Sequence, residues 1–115
     1  MTRYNFRVWD GLRMHATEKK NYVVFFEGYP WNPRYGILMH TTGLRDKNNR
    51  EIFEGDVLRH SFYDDQTPLV YESEVYWSLV RAAFVLDKDH QYPLDEMIKD
   101  PEVIGNIYEN QLTTH

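Results

Sequence analysis

The sequence predicts a mostly-β fold: a small SH3-like barrel or roll in its C-terminal half, additional N-terminal strands, and one short helix near 94–99. Three observations carry this expectation. Short runs of β-branched and aromatic residues recur with alternating polarity; glycine, asparagine, aspartate and proline punctuate them at close intervals; and 16% of the 115 residues are aromatic, nine of them tyrosines. Small β cores need large side chains to exclude water, and closely spaced short strands with tight turns suit small barrels. The length fits one domain over 1–115, divided into N-terminal strands and a loop (1–45) and the barrel portion (46–115).

Taken in order, Tyr4, Phe6 and Val8 share one face of a first strand and Arg7 looks the other way. Asn21 to Glu27 is a β-branched and aromatic run covered on both faces, and it stops at Gly28. Pro30 and Pro33 then make Gly28 to Arg34 a loop that presents Trp31. Tyr35 to Thr41 is a strand folded back by Asp46-Lys47-Asn48-Asn49-Arg50 onto Glu51-Ile52-Phe53, and Glu54-Gly55-Asp56 turns the chain into a strand over Val57 to Tyr63. Beyond the polar connector Asp64 to Pro68, Leu69, Tyr71, Val75 and Trp77 alternate in phase, and Arg81 to Asp87 is the returning arm. Pro93 followed by apolar residues at 94, 97 and 98 predicts about one and a half helical turns before Pro101, and Glu102 to Tyr108 closes the fold.

Composition narrows function. Thirteen basic against 18 acidic residues leave a net charge of -5, which argues against a broad phosphate-binding surface. No cysteine is present, so disulfides, thiolate metal sites and cysteine nucleophiles are excluded. The N-terminus is polar and aromatic, and no apolar run approaches about 18 residues, so neither a secretory signal nor a membrane span is expected; the protein is expected in the cytoplasm.

The run from Thr42 to Leu58, with Phe6-Arg7-Val8-Trp9-Asp10 before it and Glu102 to Asn110 after it, resembles the YopX family, small proteins of bacteriophages and prophages. Asn49 stands where the family usually has glycine, and Phe53 where it usually has tyrosine; asparagine also tolerates the left-handed backbone of such turns. Leu12 to Arg34 and Ser61 to Leu69 carry no motif that can be named. The resemblance implies the barrel architecture for the C-terminal half and no defined activity. Gly43, Gly55, Asp56, Gly105 and Asn106 are read as makers of turns and bulges.

No nucleophile elbow, phosphate loop or dinucleotide fingerprint occurs, so no catalytic residue and no cofactor are expected. Asp87, Asp89 and His90 sketch a cation site, although a solvated turn explains the same residues. His40 and His60 lie on neighbouring expected strands and could meet across the sheet, near Glu54 or Asp56; ordinary packing is the plainer account. Arg3, Arg7, Arg13, Lys19 and Lys20, interleaved with Tyr4, Trp9 and Tyr22, could bind single-stranded nucleic acid, or could simply alternate outward from a strand. The favoured expectation is a non-catalytic module that binds a host or phage protein or its own copies, through Trp31, Trp9, Tyr29 and Tyr35. A nucleic-acid-binding accessory protein is the alternative, and a metal-dependent enzyme follows it.

Overall fold

The computed structural model describes residues 6–20, 23–26, 29–62, 69–87, 90–94 and 98–109. Twelve strands run through them: β1 (Phe6–Trp9), β2 (Met14–Ala16), β3 (Glu18–Lys20), β4 (Val23–Phe26), β5 (Tyr29–Pro30), β6 (Ile37–Arg45), β7 (Glu51–Phe53), β8 (Asp56–Phe62), β9 (Tyr71–Ser78), β10 (Ala83–Leu86), β11 (Tyr92–Pro93) and β12 (Ile98–Asn106). They form three antiparallel sheets, ordered β2-β1-β6-β7, β11-β10-β9-β8-β12 and β3-β4-β5. The strand-rich fold is the expected class, with the strands wrapping as a half-barrel; closure of the SH3-like kind is not seen among the described residues.

Alternation explains the core. Val75 and Leu86, paired across β9 and β10, pack with Ile52, Leu58, Leu94 and Ile98, and Phe62, Phe84, Tyr92 and Val103 close around them. Burying each such aliphatic side chain stabilises the fold by about 1.5–3 kcal/mol. The helix expected over 94–99 is corrected here. Positions 95–97 lie outside the described residues, but Ile98 and Lys99 open β12, paired with Phe62 and Ser61. Burial of Ile98 in the core and a ladder partner on β8 outweigh a short helical spacing. The Gly28 to Arg34 loop also carries more order than expected, since Phe25 and Phe26 pair with Pro30 and Tyr29, and the Trp31 amide donates to the Val24 carbonyl at 2.8 Å. Pro30 fits because β5 is an edge strand. The connector at 64–68 lies outside the described residues.

Two carboxylates join distant parts of the chain. Buried Asp46 accepts the amides of Asn48 and Arg50 on Oδ1 (2.9 and 2.8 Å), shaping the turn after β6, and the Val103 amide of β12 on Oδ2 (2.9 Å). Burial pushes this carboxyl up, yet the amides of Val103, Arg50 and Asn48 together outweigh it and hold it below its ordinary value. Asp56, which is 1% exposed, accepts Arg7 Nη2 at 2.6 Å and the Phe53 amide at 2.8 Å, while the Arg7 guanidinium lies 4.6 Å from the centre of the Phe53 ring. Burial raises the Asp56 carboxyl; the charge of Arg7 and the Phe53 amide pull it back without cancelling the rise. The pair ties β1 to the start of β8, two different sheets.

Candidate interaction site

The Glu54–Gly55 turn sits where two strand edges converge. Gly55 adopts φ +87°, and a Cβ there would lie 3.3 Å from the Met39 sulfur, so glycine suits both the backbone and the space. The turn then serves both sheets. The Glu54 amide donates to the His40 carbonyl (2.9 Å) and Glu54 Oε1 accepts the His40 amide (3.3 Å), which extends the β6–β7 pairing by one rung, half of it made by a side chain. The Gly55 amide donates to the Val75 carbonyl at 3.0 Å and does the same for β9.

Beside this turn lies a groove of about 540 Å³, lined by Leu38, His40 and Thr41 from β6, Glu54 from the turn, and Trp77 and Phe84 from β9 and β10. Trp77 and Phe84 are a cross-strand pair whose rings meet edge-on at 4.9 Å and 69°. Trp77 remains 46% exposed, and the adjoining β9–β10 turn carries Leu79 and Val80 at 87% and 89% exposure. An apolar wall with one carboxylate at its floor can take an apolar or cationic group from a partner. The phenol of Tyr108 is pushed up by burial first and then by the charges of Glu54 and Glu74, against a smaller opposing pull from Arg7, whose Nη2 donates to the Glu54 carbonyl at 3.4 Å.

A second hollow, about 400 Å³, lies among Phe6, Arg7, Met14, His15, Ala16, Thr17, Glu51 and Phe53. Its cationic group is already committed, because Arg7 is paired with Asp56. At its rim the Asp10 carboxylate accepts the amides of Leu12 and Arg13 (both 2.7 Å) and lies 2.7 Å from His15 Nε2. The Arg13 amide, then the His15 and Leu12 bonds, hold Asp10 down at about 2.

Trp9 pairs with Ile37 on β6, directly after Tyr35 and Gly36, and Tyr29 and Trp31 lie a few residues earlier on the same segment. Trp9 is half-buried and stacks on Tyr108 (6.0 Å, 21°), and Trp31 is half-buried with an indole N–H that has no acceptor among the described residues. Tyr29 and Tyr35 are exposed, at 66% and 39%. Of the five cations, Arg3 lies outside the described residues, Arg7 faces Asp56, Arg13 is exposed, and Lys19 and Lys20 are on β3. His40 and His60 do not share a sheet, which corrects the expected pairing: β7 takes the edge of β6 that β8 would have needed. His40 packs its ring on Phe6 at 4.8 Å and its backbone on Glu54, whereas buried His60 meets Ser73 Oγ through Nε2 (2.9 Å) and the rings of Phe62 and Tyr71. Asp87 Oδ2 meets His90 Nδ1 at 2.8 Å, and Asp89 is outside the described residues; among the described residues no three His, Asp or Glu side chains converge as a metal site would need. Trp77 was legible as a strand residue in phase with Val75, and Phe84 only as part of the returning arm Arg81 to Asp87; nothing local told that they would line an open groove.

The family follows from the match of the YopX protein model to residues 14–112: the chain belongs to the YopX family. Among solved structures it is similar to the crystal structure of protein EF1440 from Enterococcus faecalis, with a TM-score of 0.62 and 21% sequence identity over 100% of both chains. That likeness shows a shared fold. No curated protein matches the chain. Among the described residues no helix is long and apolar enough to cross a membrane.

Proposed function

We propose that this chain is a phage- or prophage-derived module that works by binding a protein in the bacterial cytoplasm, without catalysis, and that the groove at the Glu54–Gly55 turn is its contact surface. The carrying observation is the convergence of Leu38, Trp77 and Phe84 on an open groove, flanked by the exposed Leu79 and Val80. Trp77 and Phe84, held by paired strands, lose little freedom on binding and bury much area, and tryptophan is among the residues enriched in interaction hot spots. YopX membership supports the phage lineage. The SH3-like barrel belongs to the same proposal, as the closed form of the half-barrel over residues 46–115.

Self-assembly through this groove is the second form of the reading, favoured by the exposure of the Leu79–Val80 tip beside it. Nucleic-acid binding draws less support, because the Arg7 cation is bound to Asp56. A metal-dependent reaction at Asp87, Asp89 and His90 has only the Asp87–His90 contact behind it. The test is capture of the tagged chain from its host, with and without nuclease, in wild-type and Trp77→Ala forms. A nuclease-resistant partner lost with a Trp77→Ala variant that is still folded at the assay temperature is the expected result. Capture that vanishes with nuclease, or is indifferent to Trp77, refutes the assignment.

A further inference from the structure

We propose that the groove receives an extended segment of its protein partner as an added β-strand, with a lysine or arginine of that segment lying on Trp77 and reaching Glu54. This rests on the groove being the interaction site and names what enters it.

The main chain carries the first half of the inference. Along a strand, a residue's N–H and C=O point to one edge, and those of the next residue to the other. Both His40 backbone groups face Glu54, so those of Leu38, two residues earlier, face the same edge. β7 ends at Phe53 and the chain turns away at Gly55, so among the described residues no strand reaches Leu38 there. The same holds for β9. The Asp87 amide donates to the Glu74 carbonyl, which turns Glu74 toward β10 and therefore Val75 and Trp77 toward β8. Gly55 takes the Val75 carbonyl, and β8 pairs with β9 only from Tyr71 to Glu74, so the Trp77 amide and carbonyl face the open groove. Two strand edges thus present backbone donors and acceptors to one space, with their shared turn as its floor. A groove of this volume holds a few extended residues and no folded element. Main-chain pairing supplies affinity in strand addition and side-chain pockets supply selectivity.

Charge supplies the second half. Glu54 is the acidic side chain lining the groove, held by the His40 amide through one oxygen, and the chain's net charge is -5. A cationic side chain passing over the Trp77 indole toward that carboxylate gains a ring-face contact and an ion pair together, whereas an acidic segment meets repulsion. The alternating pattern of a strand then places apolar residues two positions away, against Leu38 and Phe84.

The experiment selects binders from a displayed library of random heptapeptides with the full chain as bait, then measures the enriched peptides by fluorescence anisotropy. Peptides enriched in lysine or arginine among β-branched residues are expected. N-methylation of alternate backbone nitrogens, made separately in the two possible phases, should weaken at least one phase tenfold or more. Glu54→Gln should weaken the cationic peptides about fivefold or more and leave their norleucine counterparts unchanged; this near-isosteric variant guards against a Trp77→Ala that fails to fold. Tight peptides indifferent to N-methylation in both phases overturn strand addition while the groove remains an interaction site. Acidic consensus peptides overturn the charge assignment. No enrichment overturns the inference, and host capture then judges the interaction reading separately. A wild-type chain that dimerises by light scattering, with Glu54→Gln or Trp77→Ala monomeric, gives the groove to a second copy and overturns the partner.

Discussion

Removing the Asp46 carboxylate should be among the costliest single changes in this fold. Asp46→Ala leaves three backbone amides without their acceptor: those of Asn48 and Arg50 in the turn, and that of Val103, which lies 57 residues away. An unsatisfied buried donor costs about 1–3 kcal/mol. Water can reach the amides of Asn48 and Arg50, both exposed residues, so the heavier penalty belongs to half-buried Val103. The sum is about 3–4 kcal/mol, against a total of about 5–15 kcal/mol for a domain of this size. Asp46→Asn keeps one carbonyl oxygen for the turn but sets an NH₂ group against the Val103 amide, so about 2 kcal/mol is expected. In urea, with a slope of about 1.5 kcal/mol/M, the midpoint should fall by about 2 M for alanine and by roughly half as much for asparagine. Acid supplies an internal control. The folded-state pKa of Asp46 is lowered, so its charge-dependent stabilisation is complete above the unfolded value near 4 and is lost as pH falls through the folded value; the gap between wild type and Asp46→Ala should narrow there. A loss below about 1 kcal/mol at pH 7, or an asparagine variant worse than alanine, would refute the reasoning.

Three further outcomes are expected. At Gly36, φ is +147° and an added Cβ would sit 2.3 Å from the Trp9 carbonyl oxygen, so Gly36→Ala should push β6 from β1 and cost about 2–3 kcal/mol by thermal denaturation; a neutral substitution would show that β1 and β6 are not so close. His60 has its pKa lowered by burial, only partly restored by the Ser61 carbonyl, so protonation opposes folding: stability is full above about pH 6.5 and falls as pH drops through the folded value. His60→Gln, able to keep the Ser73 bond, should flatten that limb, and equal losses of melting temperature between pH 7.5 and 5 in both forms would discount it. Arg7→Met strands the Asp56 charge and should cost about 3–5 kcal/mol, whereas adding Asp56→Asn should recover part of it; simple additivity in the double-mutant cycle would mean that the pair does not interact as drawn.

The turns were the most legible parts of the sequence. Asn49 adopts the left-handed backbone (φ 66°) that its place in the turn required, Asp56 accepts the nearby Phe53 amide, and Asn106 accepts those of Tyr108 and Glu109. These geometries are set within a few residues, where side-chain chemistry alone decides. What failed was non-local. The spacing of Leu94, Met97 and Ile98 fits a helical stripe, but Phe62 on β8 settled Ile98 as a strand residue. Strands β2, β3 and β11 span two or three residues each and leave too little pattern to read. The placing of His40 against Glu54 instead of His60, and of Leu38 opposite Trp77, depends on which strands become neighbours, and no local window contains that information.

The last described strand completes much that precedes it. β12 covers the second edge of β8, brings Ile98 to the core and carries the Val103 amide to Asp46. During synthesis these partners must wait with their edges bare until residues 98–106 leave the ribosome, at rates of about 5–20 residues per second. The chain therefore commits to this fold only once β12 is available, and a nascent fragment stopped before Ile98 would be an adhesive open sheet for chaperones and proteases to find.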